Sequence, residues 1–363
     1  MAEVTGEYML LYDNTCWIED IDKVTPVVLP ELDFLAEKSI LITGANGLIG
    51  SAVVDVLFRY NDTHKNKIQI VAAGRSIPRM KERFGRMTKR DDFGLVEFDA
   101  SGVESPLNIH ADYIIHAASN AFPKAIMNEP VETMTENFLG MKTLLDCAKE
   151  QKTTRVLFIS SSEVYGRKDD GEPFREEQFG YVDILEKRNS YAVAKRATEM
   201  LCVSYAAEYG VDCVIARPGH IYGPTASKND NRVSSEWAHM AARGEDFVMK
   251  SDGAQLRSYC YCLDCATALL KILVSGESCR AYNISNPDSV ISIRKLAEIL
   301  AEAGDIRIQM DRPSSEERKG FNPMRNSSLD SSRLLGLGWK GCFDAETGVK
   351  HTVKILKESR CKE

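Results

Sequence analysis

Ser39-Ile40-Leu41-Ile42-Thr43-Gly44-Ala45-Asn46-Gly47-Leu48-Ile49-Gly50 decides the architecture of this chain. Ile40 to Ile42 is a short apolar run, the pattern of a parallel strand buried on both faces. A glycine turn follows. Leu48, Ile49, Val53, Val54 and Leu57 then recur at helical spacing, which predicts a helix from about Asn46. Strand, glycine turn and helix form the opening unit of an α/β, Rossmann-type doubly wound parallel sheet that binds a dinucleotide. Gly44 allows the turn, Gly47 lets the backbone approach a pyrophosphate, and Gly50 lets the helix sit close on the strand. The helix start offers free N–H groups and a positive dipole end to phosphate. Gly44, Asn46, Gly47, Leu48, Ile49 and Gly50 are therefore the expected cofactor cradle.

Composition bounds the class. The chain has 363 residues, enough for one large α/β domain plus a smaller lobe. The expected division is an extension over 1–37, a nucleotide-binding domain over 38–224 with some later segments returning to it, and a lobe over 225–363 that binds substrate. A net charge of −7 leaves no basic footprint for nucleic acid. No run of eighteen apolar residues is present, and Met1 to Leu11 lacks a basic start and an apolar core, so neither a membrane span nor a secretory leader is expected. The ten cysteines are scattered, which fits reduced thiols in a cytoplasmic protein. Cys260 and Cys262 fall in the run Tyr259 to Leu263, read as a strand. With Cys265 they form the one cluster, expected to be buried thiols and not a metal site. Residues 1–37 are acidic and carry Trp17, Ile18, Ile21 and Leu32; a helix packed on the main domain is the expectation, a partner contact the alternative.

Further along, Ile68 to Ala73 reads as the second strand. The acid that usually binds the adenosine ribose after it is missing; the chain reads Ala72-Ala73-Gly74-Arg75-Ser76. Arg75 could meet a 2′-phosphate, favouring NADP, or stack on adenine with NAD bound. Val96 to Asp99 reads as a third strand whose terminal Asp99 meets the adenine edge. Asp112 to Ala118 reads as a fourth, and the small residues Ala117, Ala118 and Ser119 let a cofactor lie flat over the sheet edge. His116 reads as a hydrogen-bonded strand-end histidine. Asn137 to Glu150 has the spacing of an amphipathic helix.

The chemistry sits next. Arg155 to Ile159 is a buried strand running into Ser160-Ser161-Ser162-Glu163 at its carboxyl end, where open α/β sheets bind ligands. Arg188-Asn189-Ser190-Tyr191-Ala192-Val193-Ala194-Lys195 opens a helix and places Tyr191 and Lys195 four apart on one face. A lysine ammonium one turn away would favour the phenolate of Tyr191, as would a positive nicotinamide.

Gly44-x-x-Gly47-x-x-Gly50, Ser161 and Tyr191-x-x-x-Lys195 together resemble the extended short-chain dehydrogenases/reductases, the nucleotide-sugar epimerase, dehydratase and decarboxylase group. Arg217 to Pro224 is similar to that family's R-x-x-N-x-Y-G-P turn, with His220 in place of the asparagine that touches the substrate diphosphate. Val248 to Asp264, Tyr282 to Pro287 and Leu337-Gly338-Trp339 resemble its later segments. The resemblance implies NAD (or NADP) recycled within one turnover, Tyr191, Lys195, Ser161, Ser162 and Glu163 as catalytic residues, a nucleotide-sugar substrate and a homodimer through the helix bearing Glu199 and Tyr205. Ser162-Glu163, where dehydratases carry Asp-Glu, resembles the UDP-glucuronate decarboxylases. So do Arg188, three residues before Tyr191, and Asn229 to Val233, which contains Arg232. Arg188, His220, Arg232 and Arg257 are the expected substrate contacts. A 4-epimerase, a 4,6-dehydratase, a net reductase and an NAD(P)-sensing regulatory protein are the competing readings.

Overall fold

The computed structural model describes residues 10–101, 109–314 and 324–359. In chain order the described elements begin with α1 (Thr15–Val24) and α2 (Leu29–Leu35), then β1 (Ser39–Thr43), α3 (Leu48–Thr63), β2 (Gln69–Gly74), α4 (Ile77–Phe84) and β3 (Phe93–Glu97). β4 (Tyr113–His116), α5 (Pro123–Asn128), α6 (Pro130–Gln151), β5 (Arg155–Ile159), α7 (Ser190–Tyr209) and β6 (Cys213–Pro218) follow. The later part contains β7 (His220–Tyr222), α8 (Val233–Arg243), β8 (Phe247–Met249), β9 (Leu256–Tyr261), α9 (Cys262–Ser275) and β10 (Ala281–Ile284). It closes with β11 (Val290–Ser292), α10 (Ile293–Gly304), β12 (Ile308–Met310), α11 (Ser332–Gly336) and α12 (Ala345–Glu358).

Seven parallel strands form the main sheet in the order β10-β6-β5-β4-β1-β2-β3. β1 pairs with β2 on one side (Ile40 opposite Ile70) and β4 on the other (Ile40 opposite Tyr113). The winding reverses there, and that reversal opens a crevice at the carboxyl ends of β1 and β4. Side chains alternate across the sheet. Ile40 and Ile42 face the layer of α3 and α9, while Leu41 joins Ile114, Val156 and Phe158 against Met141, Leu144 and Cys202 of α6 and α7. Both faces are covered, so the strands carry no polar face. A three-stranded sheet, β11-β9-β7, and a pair, β12-β8, build the smaller lobe with α8, α10 and α12.

Several boundaries differ from those read in the sequence; β2 is displaced by one residue, and β4 stops at His116, two residues before Ala118. α3 starts at Leu48, not near Asn46, because the Gly47 N–H closes the turn on Gly44 O at 2.9 Å. β3 runs Phe93–Glu97 and stops before Asp99, whose carboxylate instead caps a turn by accepting from Ser101 N at 3.0 Å. α6 begins seven residues before Asn137, at Pro130, where a fixed φ and a missing N–H suit a helix start. Cys262 opens α9 and is not in the strand, which ends at Tyr261. Cys260, Cys262 and Cys265 are buried free thiols.

The first nine residues of the 1–37 segment lie outside the described residues; the remainder packs on the main domain. Trp17 is fully buried and its Nε1 donates to Asp55 Oδ2 of α3 at 2.8 Å. Tyr261 OH donates to Asp20 at 2.8 Å, and Lys271 of α9 pairs with Glu31 of α2 at 2.5 Å. α1 and α2 thus cover apolar surface of α9 and α3 that would otherwise face water. Trp17→Ala is expected to destabilise the whole chain by about 3–5 kcal/mol. Urea unfolding followed by far-ultraviolet dichroism measures it, and an unchanged midpoint would mean that α1 is an independent appendage.

Candidate active site

The glycine turn sits hard against the end of β4. A Cβ on Gly44, whose φ is +64°, would lie 2.8 Å from the carbonyl carbon of Ala117 and from Ala118 Cα. One on Gly50 would come within 2.4 Å of Gly44 O, so α3 approaches β1 closer than any side chain permits. On Gly47 the nearest atom would be Gly44 O at 3.2 Å, and the residue is exposed. No side chain caps the start of α3, which leaves its first N–H groups available to an anion. Asn46 and Leu48 flank the turn; Asn46 Oδ1 lies against Gly74 at the end of β2, and Leu48 O accepts from Thr225 Oγ1 at 2.7 Å. The half-buried Ile49 packs against the core layer of α3 and α9. This cradle fits a dinucleotide: small residues, a free helix end and the small Ala117–Ser119 edge adjoin one another.

At its outer edge Arg75 is exposed over half its side chain and reaches Glu136 (3.4 Å) and Asn120 (3.3 Å). Asp99 stands near it, its carboxyl held below the usual range by the Ser101 N–H. Arg75 therefore lies among acids, a poor setting for an additional phosphate. His116 reads as expected: Nδ1 shares a hydrogen with Thr43 Oγ1 at 2.7 Å, while Nε2 is buried without a partner among the described residues. Burial, then the Lys195 charge, pull its pKa down to about 3, so it is neutral.

The chain brings Ser119, Ser161, Tyr191 and Lys195 to the carboxyl ends of β4 and β5. Tyr191 is buried, and burial pushes its phenol above the ordinary value; the hydrogen bond with Ser161, the Arg232 charge and the hydrogen bond with Ser119 pull the other way. Lys195 Nζ donates to Ile159 O at 2.8 Å and lies 5.6 Å from the Tyr191 ring centre. Burial lowers Lys195 to about 7, opposed by the Glu199 charge. The chain by itself thus does not produce the lowered phenol expected from the Tyr-Lys spacing, because both groups are dry and each charged form is costly. Ser161 caps the short turn Ser162–Tyr165, its Oγ accepting from Glu163 N at 3.2 Å.

A cationic end adjoins these groups. Arg188 Nη1 reaches Glu163 Oε2 at 3.4 Å. Arg232 is held by Asp230 (Nε to Oδ1, 3.0 Å) and lies over the Phe122 ring. Arg257 is 4 % exposed and donates to Leu256 O at 2.8 Å. His220 carries a buried Nδ1 with no partner among the described residues; burial, then Arg257 and Arg232, lower its pKa to about 3. The Arg232 charge acts on both Tyr191 and His220, the Arg257 charge on His220, and Arg188 meets Glu163. Sequence reading missed Glu199 as a site support, as well as Thr43 and Asp230. Glu199 had a signal, one turn beyond Lys195, but its partners come from elsewhere in the chain: Ser160 Oγ at 2.5 Å and Arg217 at 2.6 and 2.9 Å.

A profile described as the NAD dependent epimerase/dehydratase family matches residues 40–285. The chain belongs to that family: it is an NAD-dependent enzyme of nucleotide sugars, of the decarboxylase, epimerase and dehydratase type. Among its relatives, UDP-glucuronic acid decarboxylase 3 of Arabidopsis thaliana is 34% identical over 303 residues, 83% of this chain and 84% of that protein. UDP-glucuronic acid decarboxylase 1 of Xenopus tropicalis is 29% identical over 347 residues, 94% of this chain and 78% of that protein. Among solved structures, the UDP-glucose 4-epimerase of Thermotoga maritima with UDP-glucose superposes with a TM-score of 0.75 at 24% identity, covering 88% of this chain and 99% of that one. The UDP-glucuronic acid 4-epimerase of Bacillus cereus with UDP-glucuronic acid and NAD gives 0.73 at 19% identity, over the same shares. Among the described residues no helix is long and apolar enough to cross a membrane.

The two neutral histidines set an acid sensitivity. Their native pKa values of about 3 lie below the ordinary 6.5, so between those limits the unfolded chain binds protons that the native chain refuses. Stability must fall as pH falls through that window, by about 2 kcal/mol per histidine at pH 5. Urea midpoints at pH 7 and 5 test this: His116→Gln should recover about half of the loss, and an equal loss in the variant would show that His116 is not held neutral.

Proposed function

We propose that the chain decarboxylates UDP-glucuronate to a UDP-pentose. The observation that carries this reading is Arg188, held 3.4 Å from Glu163 next to Tyr191 and Ser161, with Arg232 and Arg257 close by. At 3.4 Å that contact is long for a charge-assisted bond, so the guanidinium fork remains available to a second carboxylate, the hexuronate's own. Arg257, Arg232 and His220 suit the diphosphate: two fixed positive charges and a neutral ring nitrogen able to carry a donor N–H.

NAD held by Gly44 to Gly50, Ala117, Ala118 and Ser119 would accept a hydride from sugar C4 and later return it. Tyr191 takes the O4 proton as that hydride leaves, and Ser161 donates to the same oxygen. Lys195 would hold the ribose side of the cofactor, one helical turn from the phenol. Arg188 orients the C6 carboxylate, now β to the C4 ketone, so that the C5–C6 bond breaks and its electron pair spreads onto O4. Ser162 and Glu163 line that side; Ser162 offers no acid to a departing C6 hydroxyl, which disfavours 4,6-dehydration. C5 then takes a proton and, as C4 is reduced, Tyr191 returns its own. Arg75 among Glu136, Asn120 and Asp99 favours NAD over NADP. An NAD-sensing protein would have no use for Tyr191 beside Ser161.

A homodimer would cover Val131 and Met134 of α6 and Met200 and Val203 of α7. All four are exposed at three-residue spacing on two helices that pack side by side.

Incubation of the purified chain with UDP-glucuronate and no added cofactor, followed by mass spectrometry, tests the reading. Loss of CO2 to give a saturated pentose is expected. An unchanged mass with inversion at C4 would make the enzyme an epimerase, and loss of water a dehydratase. Tyr191→Phe should keep NAD binding and lose about 10²–10⁴-fold in turnover. Arg188→Gln should lose about 10–100-fold with UDP-glucuronate, and unchanged kinetics in that variant would remove the carboxylate contact.

A further inference from the structure

Far from the sheet crevice, α1 and α12 meet along a seam in which three unlike donors converge. Cys16 and Asp20 are one turn apart on α1; His351 comes from α12. The Cys16 sulfur, an Asp20 oxygen and a His351 ring nitrogen all lie within 4.8 Å of one another. His351 Nδ1 is 2.7 Å from Asp20 Oδ1. The other Asp20 oxygen accepts from Tyr261 OH at 2.8 Å, and Tyr261 is fully buried. Cys16 is 3 % exposed and its thiol makes no hydrogen bond among the described residues. His351 keeps about a third of its side chain in solvent.

We infer that Cys16, Asp20 and His351 form a binding site for a divalent transition-metal ion of the zinc class. Sulfur, imidazole and carboxylate are the zinc donor set. Ligands bound at about 2.0–2.3 Å in a tetrahedron stand about 3.3–3.8 Å apart, a spacing that small side-chain rotations reach from the present cluster. Tyr261 orients the carboxylate from outside, as the hydrogen-bonded outer partners of metal ligands do. The exposed edge of His351 gives an entry path and leaves the fourth position to water. Binding replaces the Asp20–His351 hydrogen bond: the imidazole proton moves to Nε2, and Cys16 loses its proton to solvent as the thiolate–metal bond forms. Lys23 and Lys354 are the cations nearby; Asp20, Glu19 and Glu358 offset them. The ion would tie the amino-terminal helices to α12, a role separate from the sugar chemistry.

The test uses the full chain after treatment with a chelator. Zinc is titrated against a chromophoric competitor, and cobalt(II) is added in parallel to read thiolate-to-metal charge transfer in the near ultraviolet. One equivalent bound, a charge-transfer band and a raised melting temperature with zinc are expected. Cys16→Ser should abolish the band, and His351→Gln, at a more open position, should weaken binding at least about tenfold. Both variants should melt like the wild type in chelator, and the double variant Cys279→Ser, Cys342→Ser should bind as the wild type does. No stoichiometric binding, or a band that survives Cys16→Ser, overturns the site. Turnover of UDP-glucuronate is read separately, so failure of the decarboxylase reading leaves this one standing.

Discussion

One buried carboxylate holds the catalytic end of the sheet together. Glu199 accepts from Ser160 at the end of β5 and from Arg217 in β6, and Arg217 reaches on to Tyr165 OH (3.0 Å) and Glu176 O (2.8 Å). Tyr165 OH continues to Asn283 of β10 at 2.5 Å. Four segments of chain are thereby fixed to α7, one turn beyond Lys195. A buried ion pair is not a large source of stability by itself, since desolvation offsets its attraction. What it gives is geometry: Glu199 and Arg217 are satisfied only when α7, β5 and β6 adopt one relative position. Ser161, next to Ser160, and Tyr191, two turns before Glu199, inherit that position.

The same dryness governs the electrostatics of the site. Tyr191, Lys195, His116 and His220 all pay a desolvation cost in their charged forms, and each is displaced toward neutrality. The fixed positive charge near these groups comes from the guanidiniums of Arg188, Arg232 and Arg257. A dianionic diphosphate and a carboxylate would bring the compensating charge. Under the proposed function, an anionic sugar nucleotide would meet both the groups kept charged and those kept neutral.

Stability and site share few parts. α3 and α9 cover the face of the sheet opposite α6 and α7, and α1 and α2 pack on them, with Trp17, Asp20, Glu31 and Tyr261 joining the amino-terminal helices to the middle of the chain. The α6–α7 face exposes Val131, Met134, Met200 and Val203, whereas the α1–α12 seam is joined by polar contacts.

Local pattern made much of this legible. Ile40 to Gly50 specifies strand, turn and helix because each step needs only neighbours: β-branched residues for the strand, Gly44 at positive φ, Gly50 where Gly44 O comes too close for a side chain. Tyr191 and Lys195 were readable for the same reason, since helix geometry alone puts them on one face. The boundaries misplaced at Asn46 and Asp99 are sites where a single hydrogen bond fixes a turn, and propensity does not encode such bonds. The depressed Lys195 was not readable either, because desolvation depends on what covers a group. Sequence by itself determined the fold class, the family and the residues that gather at the crevice. Only the tertiary structure decided that Glu199 clamps them, that Arg188 meets Glu163, and that Cys16 and Asp20 face a histidine 331 residues away from Asp20. Those contacts join distant segments, and burial and distance between such segments exist only once the chain has closed on itself.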